Sequence, residues 1–173
     1  MEEEQLNFLP YLSYDGIPTL KDSDIGRLYE ACRSQNILDI VFHDDSINTA
    51  DEFIEYVKRS DVIFFSVQYN NLPFGFFWLN RLERTNAHIH FAIFSDYWGT
   101  GLSIEAGRKA VETCLGMYPT IMGRLRLDNE FALDYARRLG FRVLGFVPNL
   151  IWDKTADRPA YGIVVYITKE CLK

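Results

Sequence analysis

The 173-residue chain predicts an α/β (α+β) domain built on a mixed, mostly antiparallel twisted sheet of about six to seven strands, with helices on both faces. Three observations predict it. Two segments with helical apolar spacing come first. Three consecutive runs rich in aromatic and β-branched residues follow. The C-terminal half then alternates strand-like and helix-like segments in the order β-α-β-α-β-β.

The elements follow in order. Residues 6–12 read as a short extended segment. Asp22-Ser23-Asp24 caps a helix running to about Arg33, with Ile25, Leu28, Tyr29 and Cys32 at helical spacing. Thr49 with Glu52 three residues on forms a capping box for a second helix to about Arg59, whose apolar side is Phe53, Ile54 and Val57. The period then changes to strands over 62–69, 74–82 and 87–94, joined by turns at Asn70-Asn71-Leu72-Pro73 and Thr85-Asn86. A helix over 102–117 leads to a strand over 120–127. Asp128-Asn129 caps a helix with Ala132, Tyr135, Ala136 and Leu139 on one face, which Gly140 ends. Strands over 141–147 and 161–168 close the chain, joined by a polar loop containing Asp153, Asp157 and Pro159. An exposed strand at 161–168 offers an edge for pairing across a dimer, so monomer and homodimer both stay open.

No repeat or linker divides the sequence, and residues 1–173 read as one domain. Met1-Glu2-Glu3-Glu4 is acidic where targeting signals are basic, and no apolar run approaches the roughly 20 residues of a membrane helix. Cys32, Cys114 and Cys171 form no CxxC pair, which fits free thiols in the cytoplasm. Net charge is −6, spread unevenly: residues 1–60 carry 13 of the 24 acids and 5 of the 18 bases. That balance argues against nucleic-acid binding. It permits a basic half holding an anionic cofactor and an acidic half meeting a cationic partner; plain solvated surface charge explains it equally well.

The most informative run is Trp98-Gly99-Thr100-Gly101-Leu102-Ser103, between a strand and a helix. Glycines let the backbone approach a ligand, and the first amides of a helix have no intrahelical partner, so this turn is suited to a phosphate. An ordinary tight turn is the plainer reading.

This run, with Ile93 five residues before Trp98, resembles the Q/R-x-x-G-x-G/A motif of the GNAT superfamily of acyl-CoA-dependent N-acetyltransferases. Asn129, Ala132, Leu139, Gly140 and Phe141 are similar to a second motif, N-x-x-A followed by L-G-F. Tyr97-Trp98-Gly99-Thr100-Gly101 followed by Glu105-Ala106 resembles the ribosomal-protein N-acetyltransferase branch. The strand His90-Phe91-Ala92-Ile93 and its Ala-rich helix also look like phage-encoded GNAT-like proteins.

The resemblance implies transfer of an acetyl group from acetyl-CoA, with no metal, to a primary amine attacking directly in a ternary complex. That amine is a small molecule, a protein lysine or an N-terminus. The resemblance also implies that the amides of Trp98, Gly99, Thr100, Gly101, Leu102 and Ser103 hold the cofactor pyrophosphate. Ser103, where the family has Gly or Ala, adds a donor or satisfies the helix start. The main chain at Ile93 would pair with the pantetheine arm and polarise the thioester carbonyl, and Asn129 would touch that arm or only cap its helix. Many family members place an acid Tyr seven residues beyond the Asn; this chain has Ala136 there, with Tyr135 about 100° away around the helix.

His90 and His88 are the candidate general bases, since imidazole titrates near neutrality; structural histidines are the alternative. They lie three and five residues before Ile93, so strand alternation places them on the opposite face. Asp39, Asp44 and Asp45 fall in the segment that walls the acceptor site in the family, which suits a cationic amine. The alternative to an enzyme is a weakly catalytic or inactive GNAT-like module acting as a binding or structural protein, of phage or prophage origin.

Overall fold

A computed structural model describes residues 5–44 and 46–172. Strand β1 (Leu6–Pro10) and a small hairpin, β2 (Ser13–Tyr14) and β3 (Ile17–Pro18), precede α1 (Asp22–Ser34), α2 (Leu38–Val41) and α3 (Ala50–Val57). The meander β4 (Ile63–Tyr69), β5 (Leu72–Asn80), β6 (Asn86–Ile93) comes next. Then follow α4 (Gly101–Met117), β7 (Thr120–Arg126), α5 (Glu130–Arg138), β8 (Arg142–Asp153) and β9 (Arg158–Thr168). Seven strands form one sheet in the order β1-β4-β5-β6-β7-β9-β8. Among the described strand pairs of this sheet only β6–β7 is parallel.

Local chemistry explains most of the boundaries. Thr49 Oγ1 accepts from the Glu52 amide at 3.1 Å, and Glu52 reaches back to the Asn48 amide at 2.6 Å. Asn70 and Asn71 both have positive φ (50° and 64°), the backbone of a two-residue hairpin turn, so β5 resumes at Leu72 rather than at Phe74. The helix expected to start on Asp22-Ser23-Asp24 has Lys21 as its N-cap, and Asp24 accepts from the Lys21 amide at 3.0 Å. Gly140 (φ +95°) closes α5: its amide donates to Arg137 O, and that of Phe141 donates to Ala136 O, both at 3.0 Å.

Two expectations are corrected at the C-terminal hairpin. Asp153 and Pro159 are strand residues, paired with Arg158 and Trp152, so the connecting turn is only 154–157. Strand β9 is interior, between β7 and β8, so it offers no edge; the free edges of the sheet are β1 and β8. An apolar run such as 161–168 fits a strand flanked on both sides, and the run alone does not say which neighbours flank it.

Helices cover both faces. On one, α1 and α3 bury an aromatic cluster centred on Phe53, whose ring lies 5.2–6.1 Å from those of Phe76, Phe42, Phe64 and Tyr29. On the other, α4 presents Ala106, Gly107, Ala110 and Val111. Gly107 lets α5 pack closely there: a Cβ would come within 2.4 Å of the Tyr135 hydroxyl and 2.7 Å of Leu139 Cδ2, so those side chains would have to shift.

The feature that positions the site lies between β6 and β7. Their parallel register covers only Asn86↔Thr120, Ala87↔Ile121 and His88↔Met122. Beyond it β6 stays paired to β5 through Ile93, and β7 stays paired to β9 through Arg126. Each strand follows its outer neighbour, and the sheet twist opens a V between them.

Candidate active site

Along the V, the β6 edge facing β7 has no strand partner from Ile89 onward. The Phe94 amide donates to Phe74 O on β5 at 3.0 Å, so alternation turns the main-chain groups of Phe91 and Ile93 toward the cleft. A cavity of about 440 Å³ runs along this edge, lined among others by Ala92, Ile93, Trp98, Gly99, Ser103 and Asn129. It brings together the two sequence motifs, which lie on α4 and α5.

The glycine turn is open. Gly99 has φ +73°, and a Cβ built at Gly99 or Gly101 meets nothing within 4 Å. The six amides of the turn divide into two sets. Trp98, Thr100 and Ser103 donate to Ser95 O, Tyr97 O and Thr100 Oγ1 at 3.1, 3.3 and 3.3 Å. Those of Gly99, Gly101 and Leu102 have no acceptor among the described residues. Ser103 is buried and donates its hydroxyl to Thr100 O at 2.8 Å, satisfying the helix start. A cradle lined by free amides at the positive end of a 17-residue helix fits a pyrophosphate.

Trp98 stands where the motif has Arg or Gln, and it too brings a side-chain N–H. Its indole donates to Ile93 O at 2.8 Å, pinning the last residue of β6 to the glycine turn. Gln35 braces the same corner from α1: its Oε1 accepts from the Ser95 amide at 2.5 Å and the Ser95 hydroxyl at 3.0 Å. The 60 residues separating the partners leave no sequence signal for that contact.

Asn129 caps α5, accepting from the Ala132 amide at 3.0 Å, and also lines the cleft. Asn129→Ala is expected to lower stability by about 1 kcal/mol, read by urea denaturation. An unchanged midpoint would mean the cap contributes nothing. Tyr135 stacks on Phe91 (5.7 Å between centroids) and donates to Ser103 O at 2.6 Å. Burial pushes its phenol well above the usual value, so the hydroxyl is a structural tie between α5 and α4. Ala136, buried at the position of the family's acid Tyr, lines the cleft and contributes no proton.

His88 and His90 lie in regular register with Asn80 and Trp78, with no bulge in that pairing, on the face opposite Ile93. His90 stacks on Trp78 at 4.7 Å and lines a second, smaller cavity of about 170 Å³, which shares Phe91, Asn129 and Tyr135 with the first. Its Nε2 lies 3.1 Å from Asn80 Oδ1, while Asn80 Nδ2 donates to the Tyr56 hydroxyl at 2.9 Å. With the Asn80 oxygen placed toward the ring, His90 Nε2–H is the donor and Nδ1 keeps a lone pair. Nδ1 has no partner among the described residues and is not fully buried. Burial pushes His90 down to about 4, so the ring is neutral at physiological pH.

A third histidine, not foreseen from sequence, lines the same cavity. His43, beyond α2, holds a buried Nδ1 without a hydrogen-bond partner, and burial lowers its pKa. Its sequence context, Phe42-His43-Asp44, carries no periodic pattern to mark it.

The acidic segment is only partly free. Asp39 lies 3.9 Å from Lys154 Nζ. Asp44 accepts from the Ser46 hydroxyl at 2.6 Å; burial opposes its ionisation, yet that bond and the Ser46 amide hold its pKa below normal. Asp45 lies outside the described residues. Among the described residues no group of three or more His, Cys, Asp or Glu is placed to hold a metal, and no helix is long and apolar enough to cross a membrane.

Comparison with known proteins agrees with this geometry. The family model of the acetyltransferase (GNAT) domain matches residues 17–142. The fold is similar to that of spermidine N-acetyltransferase from Vibrio cholerae, solved in complex with CoA and spermine, at 15% identity and TM-score 0.75 over 98% of this chain and 99% of that one. It is similar to a probable acetyltransferase of the GNAT family from Chromobacterium violaceum, at 19% identity and TM-score 0.74 over 88% and 82%. It is also similar to a GNAT-family acetyltransferase from Bacillus anthracis, at 13% identity and TM-score 0.71 over 87% and 92%. No curated protein sequence matches the chain. With its family model spanning most of the chain, its two motifs on one cleft and its sheet splayed at β6–β7, the chain belongs to the GNAT acetyltransferase family.

Proposed function

We propose that this chain transfers an acetyl group from acetyl-CoA to a primary amine, by direct attack within one cleft, with His90 receiving the amine. The observation that carries this is the unpaired edge of β6, running from His90 past Ile93 into the open glycine turn. Bound acetyl-CoA would supply an activated acyl group on a thiol leaving group.

The chain's own residues do the rest. Free amides of Gly99, Gly101 and Leu102 neutralise the pyrophosphate. The Phe91 and Ile93 main chain pairs with the extended arm as an added strand, and a fixed N–H there stabilises charge developing on the thioester oxygen. His90 Nδ1 accepts a hydrogen bond from the amine. It takes up the proton that nitrogen sheds on bonding to the acyl carbon, and passes it to water. A thiolate leaves readily enough that Ala136 in place of an acid costs little. His88 lies two residues back along β6, where the strand is still paired to β7, and feels the charges of Arg124 and Arg81. The Tyr97-Trp98-Gly99 form of the turn supports the ribosomal-protein N-acetyltransferase branch, and the acidic segment with Asp39 and Asp44 supports recruitment of an ammonium. The neighbouring Vibrio protein binds spermine, which agrees with an amine acceptor.

Thiol release from acetyl-CoA on addition of an amine tests the reading. His90→Gln is expected to lower kcat about 10-fold to 100-fold. Because the folded pKa lies near 4, His90 charges only as pH falls through that value. The rate should therefore rise with pH as the amine itself deprotonates, without a break near the ordinary histidine pKa of about 6.5. Binding of coenzyme A with no thiol release for any amine would instead favour the non-catalytic module.

A further inference from the structure

The cleft has a charged end that the transfer chemistry leaves unused. Arg124 projects from β7 and lines the smaller cavity together with His90 and Ile89. The register sets Asn80, His88 and Met122 abreast on β5, β6 and β7. Two residues further along β6 and β7, on the same face, stand His90 and Arg124, opposite one another where the V begins to open. Arg81 follows Asn80 directly, at the end of β5.

Neighbouring Arg126 shows how this fold treats an arginine with a structural duty. It binds Asp128 through two bonds of 2.9 and 2.7 Å and reaches Asp153 at 3.2 Å. Arg124 and Arg81 have no ion pair or side-chain hydrogen bond among the described residues. Arg124 is half-buried and feels a like charge: burial first, then Arg81, lowers its pKa. The same field reaches His88, lowered by burial and then by Arg124 and Arg81, with Glu83 the one acid opposing it. Glu83 itself is engaged by Asn86 at 2.9 Å. A guanidinium drawn from water beside a second one is unfavourable without an anion, and its planar fork matches a carboxylate.

We propose that Arg124, assisted by Arg81, is an anion-recognising subsite for the acceptor, and that the acceptor is a small amine carrying a carboxylate. This rests on the transferase reading above. The amine meets His90 Nδ1 while the carboxylate lies against Arg124, so the acceptor spans the width of the V. A second ammonium at that end, as in a polyamine, would face two arginines.

Calorimetry on the protein preloaded with CoA tests this without turnover. The probes are matched pairs differing by carboxylate against methyl: β-alanine and propylamine, γ-aminobutyrate and butylamine, 5-aminovalerate and pentylamine. At one length or more the carboxylate member is expected to bind about tenfold tighter. Arg124→Met should bring that ratio close to one, Arg124→Lys should restore part of it, and Arg81→Met should lower it by a smaller factor. No carboxylate preference at any length, or a full preference in Arg124→Met with an unchanged melting temperature, overturns the proposal. Tighter binding of O-phosphoethanolamine than of every carboxylate overturns the choice of carboxylate. Thiol release from acetyl-CoA, followed in parallel, keeps the two readings apart. Selective binding without release sinks the transferase and leaves the subsite standing, and release without selectivity does the reverse.

Discussion

Gly101→Asp is expected to weaken coenzyme A binding about 100-fold, roughly 2.7 kcal/mol, while leaving the protein at least as stable. The two effects have opposite signs for one reason. Position 101 is the first residue of α4, with space around it and no positive φ, so an Asp side chain fits without strain. A carboxylate there meets the positive end of the helix, worth about 0.3–1 kcal/mol, and removes a glycine from the helix start. The same carboxylate occupies the cradle formed by the free amides of Gly99, Gly101 and Leu102, where a pyrophosphate would repel it. Calorimetry with CoA and thermal denaturation on the same preparation read both quantities. If the variant binds CoA as tightly as the parent, the glycine turn is only a turn.

Phe53→Ala should cost about 3–5 kcal/mol of folding stability, measured by urea unfolding. Phe53 is fully buried, and four aromatic rings surround it. Those rings come from α1, the chain after α2, β4 and β5, so they cannot all move together to fill the void. Set against a typical total of about 5–15 kcal/mol, the loss is a large share of what holds the domain together. It also loosens the layer that carries His43 against the sheet. A loss below about 1.5 kcal/mol would show that this cluster collapses freely and does not set the wall of the cleft.

Much of the fold could be read along the chain because its signals are local. Thr49 and Asn129 cap the helices that follow them, Gly140 ends α5, and the Asn70-Asn71 turn joins two strands. Each of these depends on residues within one turn of one another. The short α2 and the β2–β3 hairpin went unread because two to four residues carry too little periodicity. The extent of β8 was underestimated for a different reason. The sequence pattern ends this strand at Val147, whereas it continues through Pro148 and Asn149 to Asp153 with a register shift between Val147 and Ile151.

The candidate site divides along the same line. The glycine turn was legible because its chemistry is carried by the backbone of six consecutive residues. The tie from Trp98 to Ile93, the brace from Gln35, the neutral lone pair of His90 and the unpaired charge of Arg124 were not. Each depends on what stands opposite, and strand order and twist decide that.

The sequence by itself therefore determined the longer elements, their order and the glycine turn at Trp98–Ser103 between strand and helix, since those follow from short-range periodicity and capping. Only the tertiary structure decided which β6 residues face the cleft, that β9 is interior, and which histidine meets which arginine. Those outcomes depend on how β6 and β7 part after His88, and that parting depends on their pairing with β5 and β9, strands distant in sequence.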